Sequence, residues 1–418
     1  MKLAVFVEYF PPHMGSDYRI YQISKGLIKE FNLFFAVFPP LRALGNITDN
    51  SLKSYLENRE RIKLPENFKA KYLNLSNVLY RLWNRFELVA YFITLAILFV
   101  RTIGLLKSIR PNLVVVAHPS YHCGLIGTVV AKILNIPIVL DYPDLWTSMT
   151  LETLSLQQNG LKSVVLEAIE SIPIYLANHI IVVTNTIRDK VLRKGINKSK
   201  VTIIPNGVSI DEISVCSNFE KETIEDSDNK MILFSGRLER WAGLDCLINA
   251  IPSVLSTVPN SLFVIAGDGS YKKFLEGKIA SATFQENVIF TGFLQREKIW
   301  NLINKANICI SIFSEGDTGT AAIPIKLLEY MALGKPIVTT DCKGLSKFLK
   351  DKETVLLAKN DPTALASAIT NLLQNPSLAC SLGSCAKKIV LESFDWRLLS
   401  NDFAQVCHSV LSSNLNPT

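Results

Sequence analysis

A lysine and a glutamate three residues apart, Lys326 and Glu329, stand in the largely apolar stretch 324–338. Residues spaced i and i+3 share one face of a helix, so both side chains can face the same ligand. The N-terminus of that helix would offer free N–H groups and the positive end of its dipole to a phosphate. A carboxylate one turn further in can accept two hydrogen bonds from a ribose diol. We expect the helix to end at Gly334 and an apolar strand to follow it.

Short apolar or β-branched runs alternate with helical patterns along nearly the whole chain. Because the runs are continuously apolar, they indicate strands that are buried on both faces, as in a parallel sheet. The βαβ pattern occurs twice, once before about residue 208 and once after it. The expected strands are 3–7, 33–38, 113–117, 136–140, 180–184, 201–205, 231–235, 262–266, 288–291, 308–312 and 336–340. The expected helices include 18–31, 244–258, 296–305 and 364–373.

The length predicts more than one domain, because 418 residues exceed what one ordinary core supports. A Pro-Asn-Gly turn at 205–207 closes the first half, and the polar residues 211–230 indicate a linker or a surface excursion. We therefore predict an N-terminal domain over 1–208, a second domain over 209–390 and a C-terminal helix over 391–418.

Positive charge is concentrated in the first half. Residues 1–210 hold 24 Lys and Arg against 14 Asp and Glu, whereas the remainder holds 20 against 23. The basic half is either a solvated face or a face that meets an anionic partner, and an anionic membrane surface or a lipid-phosphate acceptor fits the second reading. No recognised nucleic-acid motif accompanies the charge, so we expect no nucleic-acid partner.

The cysteines and the N-terminus predict a reduced, cytoplasmic chain. Eight cysteines are scattered without a Cys-x-x-Cys pair or a Cys/His cluster at metal spacing. The first residues run directly into an expected strand that is too short for a secretory core.

One apolar run bears on membrane attachment. Residues 88–100 form the longest uncharged apolar run, 13 residues, and a spanning helix needs roughly 20. The run fits either a buried helix or an interfacial one, and aromatic and basic residues surround it. Peripheral attachment at the inner face of the membrane through residues 70–110 is the corresponding hypothesis.

Several loops follow expected strands, where ligands of open α/β sheets bind. His118 follows strand 113–117 and is either a structural or a ligand-facing histidine. Asp141 and Asp144 follow the next strand, where a carboxylate either stabilises a turn or binds a hydroxyl. In the second half Arg237 follows a strand, and a guanidinium suits bidentate contact with phosphate.

Taken in order, these pieces resemble the retaining family-4 glycosyltransferases with the GT-B fold. Residues 9–16 are similar to the family's Tyr-Phe-Pro-Pro…Gly-Gly loop, and 144–146 to its Asp-Leu-Trp segment. Residues 236–245 resemble its Gly-Arg-Leu…Lys-Gly-x-Asp motif, and 324–330 a Pro-x-Lys-x-x-Glu-Tyr version of its donor segment. The resemblance extends from Tyr9 to Trp396.

The resemblance implies an α/β fold of two Rossmann-like, doubly wound parallel-sheet domains that face a cleft, with a C-terminal helix crossing back to the first. It implies transfer of a hexose, with retention, from a nucleotide diphosphate sugar to a lipid-linked or glycan acceptor, in surface polysaccharide, glycolipid or glycan assembly. No metal and no further cofactor are expected.

The resemblance also implies roles for particular residues. The catalytic residues would be His118, which faces the reacting centre, and Glu329, which binds the ribose. Asp144 would contact the acceptor. The donor-binding residues would be Gly15, Arg237, Gly267, Asp268, Thr291, Lys326 and Glu329.

The chain departs from the family pattern at three positions. Ser16 stands in place of a second glycine, Ala242 in place of a lysine, and Ala321 in place of the first glutamate of the Glu-x7-Glu motif. Two other functions therefore stay open: a catalytically degenerate partner subunit and a nucleotide-sugar epimerase. The candidates for replacing the missing charges are Arg240, Lys326, Glu315 and Asp317.

Overall fold

The computed structural model describes most of the chain. The described residues are 1–8, 10, 15–39, 68–73, 87–117, 121–153, 160–217, 229–314, 321, 323–341 and 344–415. The predictions on Tyr9, His118, Glu315 and Asp317 lie outside them.

The chain divides into two compact units. Unit 1 comprises 1–151, 155–205 and 396–418, and unit 2 comprises 206–395 together with 152–154. Unit 2 is thus almost entirely inserted between two segments of unit 1.

Unit 1 contains a seven-stranded parallel sheet in the order β3-β2-β1-β4-β5-β6-β7. The central strands are continuously apolar and buried, as their sequences predict. The strands are β1 (Lys2–Val7), β2 (Asn32–Val37), β3 (Lys69–Tyr72), β4 (Leu113–Ala117), β5 (Ile138–Tyr142), β6 (His179–Val182) and β7 (Val201–Ile203). The helices are α1 (Gly15–Leu27), α2 (Glu87–Ile109), α3 (Tyr121–Ile133), α4 (Trp146–Thr153), α5 (Leu161–Leu176), α6 (Asn185–Arg193) and the last helix of the chain.

The last helix, Trp396–Leu415, returns to unit 1 and packs along α1. The two helices approach closely, because a Cβ on Gly26 would lie 2.3 Å from the Cβ of Ser400. The ring of Phe31 lies 4.9 Å from that of His408, which also contacts Glu30 at 2.6 Å.

Unit 2 contains a six-stranded parallel sheet in the order β10-β9-β8-β11-β12-β13. The strands are β8 (Lys230–Ser235), β9 (Ser261–Ala266), β10 (Val288–Gly292), β11 (Ile308–Ser311), β12 (Ile337–Thr339) and β13 (Leu356–Leu357). The helices are α7 (Ile210–Ser217), α8 (Leu244–Thr257), α9 (Lys272–Ala280), α10 (Arg296–Lys305), α11 (Ile325–Ala332), α12 (Pro362–Gln374) and α13 (Pro376–Ser393). The helix Trp396–Leu415 is α14.

Alternate residues of each central strand in unit 2 enter different cores. Ile232 and Phe234 of β8 join a cluster with α8 and α12, whereas Met231 and Leu233 join one with α10, α11 and α13. Helices therefore cover both faces of the sheet, which is why the strands are apolar throughout. The strand order of each unit reverses beside its first strand, as in a doubly wound Rossmann-like sheet. The predicted α/β class with two doubly wound parallel sheets is confirmed.

The structure corrects three sequence predictions. β3 was not expected, because Lys69-Ala-Lys-Tyr72 is a partly exposed edge strand without an apolar run. The segment predicted as a polar linker from residue 211 begins as helix α7. The apolar run at 88–100 belongs to the 23-residue helix α2, which continues beyond Arg101.

In α2, residues Val89–Ile109 are long and apolar enough to cross a membrane by length and composition alone. Its inner side is covered, however: Ala90, Thr94 and Leu98 are fully buried. The helix contacts α3 and β1 and so forms part of the layer that covers the sheet of unit 1.

Candidate functional site

The carboxyl ends of three neighbouring strands of unit 2 are tied together by backbone hydrogen bonds. After β8, the N–H of Gly236 donates to the carbonyl of Ala266 at 2.9 Å. After β9, the N–H of Gly267 donates to the carbonyl of Gly292 at 3.0 Å. The loop after β8 begins beside the point where the strand order reverses, which is the expected place for a ligand.

Gly267 permits the closest of these backbone approaches. Its φ is +147°, and a Cβ there would lie 1.8 Å from the carbonyl oxygen of Gly236. Asp268, the next residue, turns back on its own loop, where its Oδ1 accepts from the N–H of Gly269 at 2.8 Å. Its carbonyl accepts from the N–H of Leu238 at 3.0 Å. In this structure Asp268 therefore stabilises the turn.

Arg237 is held by a buried carboxylate. Its Nη2 donates to Oε1 of Glu239 at 2.6 Å, while Oε2 of Glu239 accepts from the hydroxyl of Ser270 at 2.5 Å. The Glu239 side chain is 6 % exposed, but that of Arg237 is 47 % exposed. The guanidinium is thus anchored on one side and open to solvent on the other, an arrangement suited to a phosphate ligand.

Lys326 occupies an aromatic setting on α11. Its Nζ lies 3.9 Å from the ring centroid of Phe234 and 5.4 Å from that of Phe313. Burial among these groups lowers the pKa of Lys326 to about 7, although part of the residue remains exposed. Among the described residues its Nζ makes no hydrogen bond or ion pair, so ring contacts alone hold the ammonium.

Lys326 lies next to the loop that carries Arg237. A Cβ built on Gly236 would be 3.5 Å from the Nζ of Lys326. Ala242, at the family's lysine position, is fully buried in the core. Of the two predicted substitutes for the missing lysine, Lys326 is the one whose Nζ lies beside Gly236. Arg240 belongs to the same loop as Arg237.

Glu329 is buried one turn further along α11 and is 5 % exposed. Its Oε1 accepts from Nη1 of Arg296 and from Nε1 of Trp300, the latter at 3.1 Å. Its Oε2 has no partner among the described residues and is not fully covered. The hydroxyl of Tyr330 accepts from the N–H of Ser235 at 2.8 Å, which fixes α11 against the end of β8.

Two other predicted donor residues have local roles. The hydroxyl of Thr291 donates to the carbonyl of Gly292 at 3.0 Å, beside an irregularity in the pairing of β10. Gly15 is the first residue of α1 in unit 1. Their roles toward a donor stay predictions, as does that of His118.

In unit 1, the carboxyl end of β5 carries a buried ion pair. Arg19 is fully buried and donates to both oxygens of Asp141, with distances of 3.0 to 3.1 Å. Its Nη1 donates to the carbonyl of Pro205 at 2.7 Å. Asp141 thus has a structural partner, which leaves Asp144 as the candidate for acceptor contact.

Asp144 lies close to this ion pair. Burial raises the pKa of the Asp144 carboxyl to about 6, opposed by the positive charge of Arg19 and assisted by the negative charge of Asp141. Such a carboxyl exchanges protons near neutral pH and can both donate to and accept from a hydroxyl.

Sequence reasoning found Arg237, Lys326 and Glu329, which the structure places around the carboxyl ends of β8 and β11. It missed their supporting partners. Glu239 lies two residues from Arg237, and that short spacing was a usable signal. Arg296 and Trp300 are separated from Glu329 by about 30 residues along the sequence, and no local sequence pattern predicts these contacts.

Comparison with known proteins agrees with this architecture. Residues 217–389 match the family model "Glycosyl transferases group 1", and residues 66–212 match "Glycosyltransferase Family 4". An uncharacterized glycosyltransferase of Methanocaldococcus jannaschii is 26 % identical over 249 residues. That alignment covers 58 % of this chain and 62 % of the relative, so it spans less than two thirds of the relative's length.

Solved structures share the fold over nearly the whole chain. HepE from Anabaena in complex with UDP has a TM-score of 0.71 and 17 % identity, covering 98 % of this chain and 100 % of that one. Sucrose-phosphate synthase from Thermosynechococcus elongatus has a TM-score of 0.75 and 17 % identity, covering 99 % and 100 %. The two family models together cover about three quarters of the sequence. The chain belongs to the family-4 type of glycosyltransferases with the GT-B fold.

Proposed function

We propose that the protein transfers a sugar from a nucleotide diphosphate sugar to an acceptor hydroxyl. The observation that carries the proposal is the grouping of Arg237, Lys326 and Glu329 at the carboxyl edge of the unit 2 sheet. Two cations suit a diphosphate, and a carboxylate with one free oxygen suits a ribose diol. UDP in the HepE structure, a protein of the same fold, is consistent with a nucleotide ligand.

The reaction would be driven by stabilising the departing nucleotide diphosphate. The bond from the sugar's anomeric carbon to the phosphate oxygen breaks, and the acceptor oxygen forms a new bond to that carbon on the same face. The acceptor proton passes to the departing phosphate. Arg237 and Lys326 would balance the charge that develops on the diphosphate, which is the electrostatic form of catalysis.

The acceptor would be a lipid-linked or glycan hydroxyl bound by unit 1, with Asp144 as its contact. The reaction would be retaining, and the setting would be surface polysaccharide, glycolipid or glycan assembly at the cytoplasmic side of a membrane. The motifs in the sequence support these finer statements, and the raised pKa of Asp144 supports only its contact with the acceptor hydroxyl.

Calorimetry with UDP, GDP and ADP tests the donor site. Wild type should bind one of the three, and Glu329→Gln should weaken that binding by about 10- to 100-fold, because the neutral amide is a poorer acceptor for the ribose hydroxyls. Glu297→Gln, an exposed carboxylate on the neighbouring α10, is the matched control and should bind as wild type does. Equal binding by Glu329→Gln and wild type would remove Glu329 from the site.

A catalytically degenerate partner subunit is the second candidate, favoured by the uncharged and buried Ala242 and Ala321. It predicts that none of the three nucleotides binds. An epimerase would instead change the sugar of the bound donor without any acceptor. Incubation of the donor alone, followed by chromatography of the nucleotide sugar, separates that outcome from transfer.

A further inference from the structure

Three of the helices that cover one side of the unit 1 sheet lie next to one another. Each helix connects two strands of the sheet, and the second strand always lies in the same direction across the sheet from the first. Helix α2 connects β3 to β4, α3 connects β4 to β5, and α5 connects β5 to β6. Right-handed crossovers therefore place all three on one side. Helix α3 contacts both α2 and α5, so the order across the layer is α2-α3-α5. Helix α1 leads in the opposite direction, from β1 to β2, and lies with α14 on the other side.

The outward side of this layer, which we call the apolar face, is unusually rich in exposed hydrophobic side chains. Of the 16 large hydrophobic residues that are exposed among the described residues, 10 belong to these three helices. Phe92 is 65 % exposed, Val100 67 % and Leu161 82 %. The other seven are Val89, Ile93, Ile133, Val164, Val165, Ile172 and Tyr175.

The apolar face follows the helical repeat, so it is a property of whole helices. On α5 the exposed apolar positions include Leu161, Val165, Ala168, Ile172 and Tyr175, which recur every three or four residues. A helix that covers a sheet in water normally carries polar residues on its outer side. α2 instead has one apolar side against the protein and a second one facing outwards. α5 buries Ser163, Glu170 and Ser171 and turns these apolar positions outwards.

The charges around the apolar face are mainly basic. Exposed positive side chains on the three helices are Arg101, Lys107, Lys132 and Lys162. Among the described side chains of these helices, Glu167 is the exposed acidic one, since Glu170 is buried. A basic border around an apolar surface matches a bilayer with anionic headgroups, in which hydrocarbon lies beneath a negative surface.

We propose that the protein docks on anionic lipid bilayers through the apolar face, with α2, α3 and α5 lying along the membrane surface. The three-helix surface extends the hypothesis for residues 70–110 to two further helices. Helix α2 rests on the surface and does not cross it, because its inner side is packed against α3 and β1. The proposal does not depend on the proposed transferase activity.

A second copy of the chain fits the same face less well. A symmetric dimer would bring identical patches together, and each copy contributes four exposed basic side chains against one acidic on these helices. Like charges would then meet at the border of the interface. An anionic bilayer would attract the same basic side chains.

Flotation with lipid vesicles tests the proposal. Wild type should float with vesicles of phosphatidylcholine and phosphatidylglycerol, and much less with phosphatidylcholine alone, and high salt should weaken the binding. Val100→Glu combined with Val164→Glu places carboxylates on two exposed positions and should lower binding about tenfold or more. Leu398→Glu is the matched control, because Leu398 is 50 % exposed on α14, on the other side of the sheet.

A second variant leaves every apolar residue in place. Lys132→Glu combined with Lys162→Glu should lower binding to the anionic vesicles only. The proposal is overturned if wild type does not float with anionic vesicles, if it floats equally with both vesicles, or if the valine variant floats as wild type does. A dimer in lipid-free solution that the valine variant dissociates would assign the face to a second copy instead.

Discussion

Nucleotide binding is expected to depend on pH through Lys326. Burial lowers its pKa to about 7 in the free protein, whereas a bound diphosphate favours the charged form and raises that pKa again. Binding therefore takes up a proton above pH 7. About half of the side chain is charged at pH 7.0 and about 3 % at pH 8.5. A diphosphate that binds only the charged form would then lose ~16-fold in affinity between these two values.

Calorimetry at pH 7.0 and 8.5 measures this change directly. The last phosphate proton is lost near pH 6, so the ligand contributes little in this range. At pH 8, repeating the titration in buffers with different ionisation enthalpies should reveal uptake of about 0.9 proton. Lys326→Arg keeps its charge throughout and should bind independently of pH. The reasoning is refuted if wild-type affinity is the same at both values, or if Lys326→Arg shows the same decline.

Three further substitutions test other contacts in the two units. Gly267→Ala should lower stability by about 2–5 kcal/mol in thermal unfolding, because the φ of Gly267 is positive and the added Cβ would meet a carbonyl oxygen. Gly277→Ala is the control and should leave stability unlowered, because a Cβ at Gly277 has open space around it. Arg237→Ala should weaken nucleoside diphosphate binding by about 10- to 100-fold and leave acceptor binding unchanged, and equal nucleotide affinity would place Arg237 outside the site. Arg19→Gln should cost about 3–5 kcal/mol in denaturant unfolding, since it strands the buried carboxylate of Asp141; a loss below 1 kcal/mol would contradict this.

The parts of the fold that depend on local pattern could be predicted from the sequence. The run 113–117 is a buried central strand because each of its residues is apolar, and the prediction coincides with β4. β3 lies at the sheet edge and has polar residues on its exposed positions, so its sequence does not differ from that of a loop. The extent of α2 was underestimated because Arg101 interrupts the apolar run on an exposed side of the helix.

The candidate site likewise has features that local sequence pattern predicts and features that it does not. Arg237, Lys326 and Glu329 could be found because they follow strands or share a helix turn. Their electrostatic state could not be predicted from the sequence. The lowered pKa of Lys326 depends on the ring of Phe234, 92 positions earlier, and the contacts of Glu329 come from another helix. Long-range packing determines these properties, and a single sequence does not encode it in any local spacing.

The position of α14 has a consequence for biosynthesis. Helix α1 leaves the ribosome early, but the helix that packs along it is made only after all of unit 2. At about 5–20 residues per second, synthesis of residues 206–395 takes roughly 10–40 s. During that interval the side of α1 near Gly26 and Phe31 has no α14 to cover it. The unit that is translated first is therefore the one that is completed last. A chaperone that binds nascent chains would be expected to bind α1 during this interval.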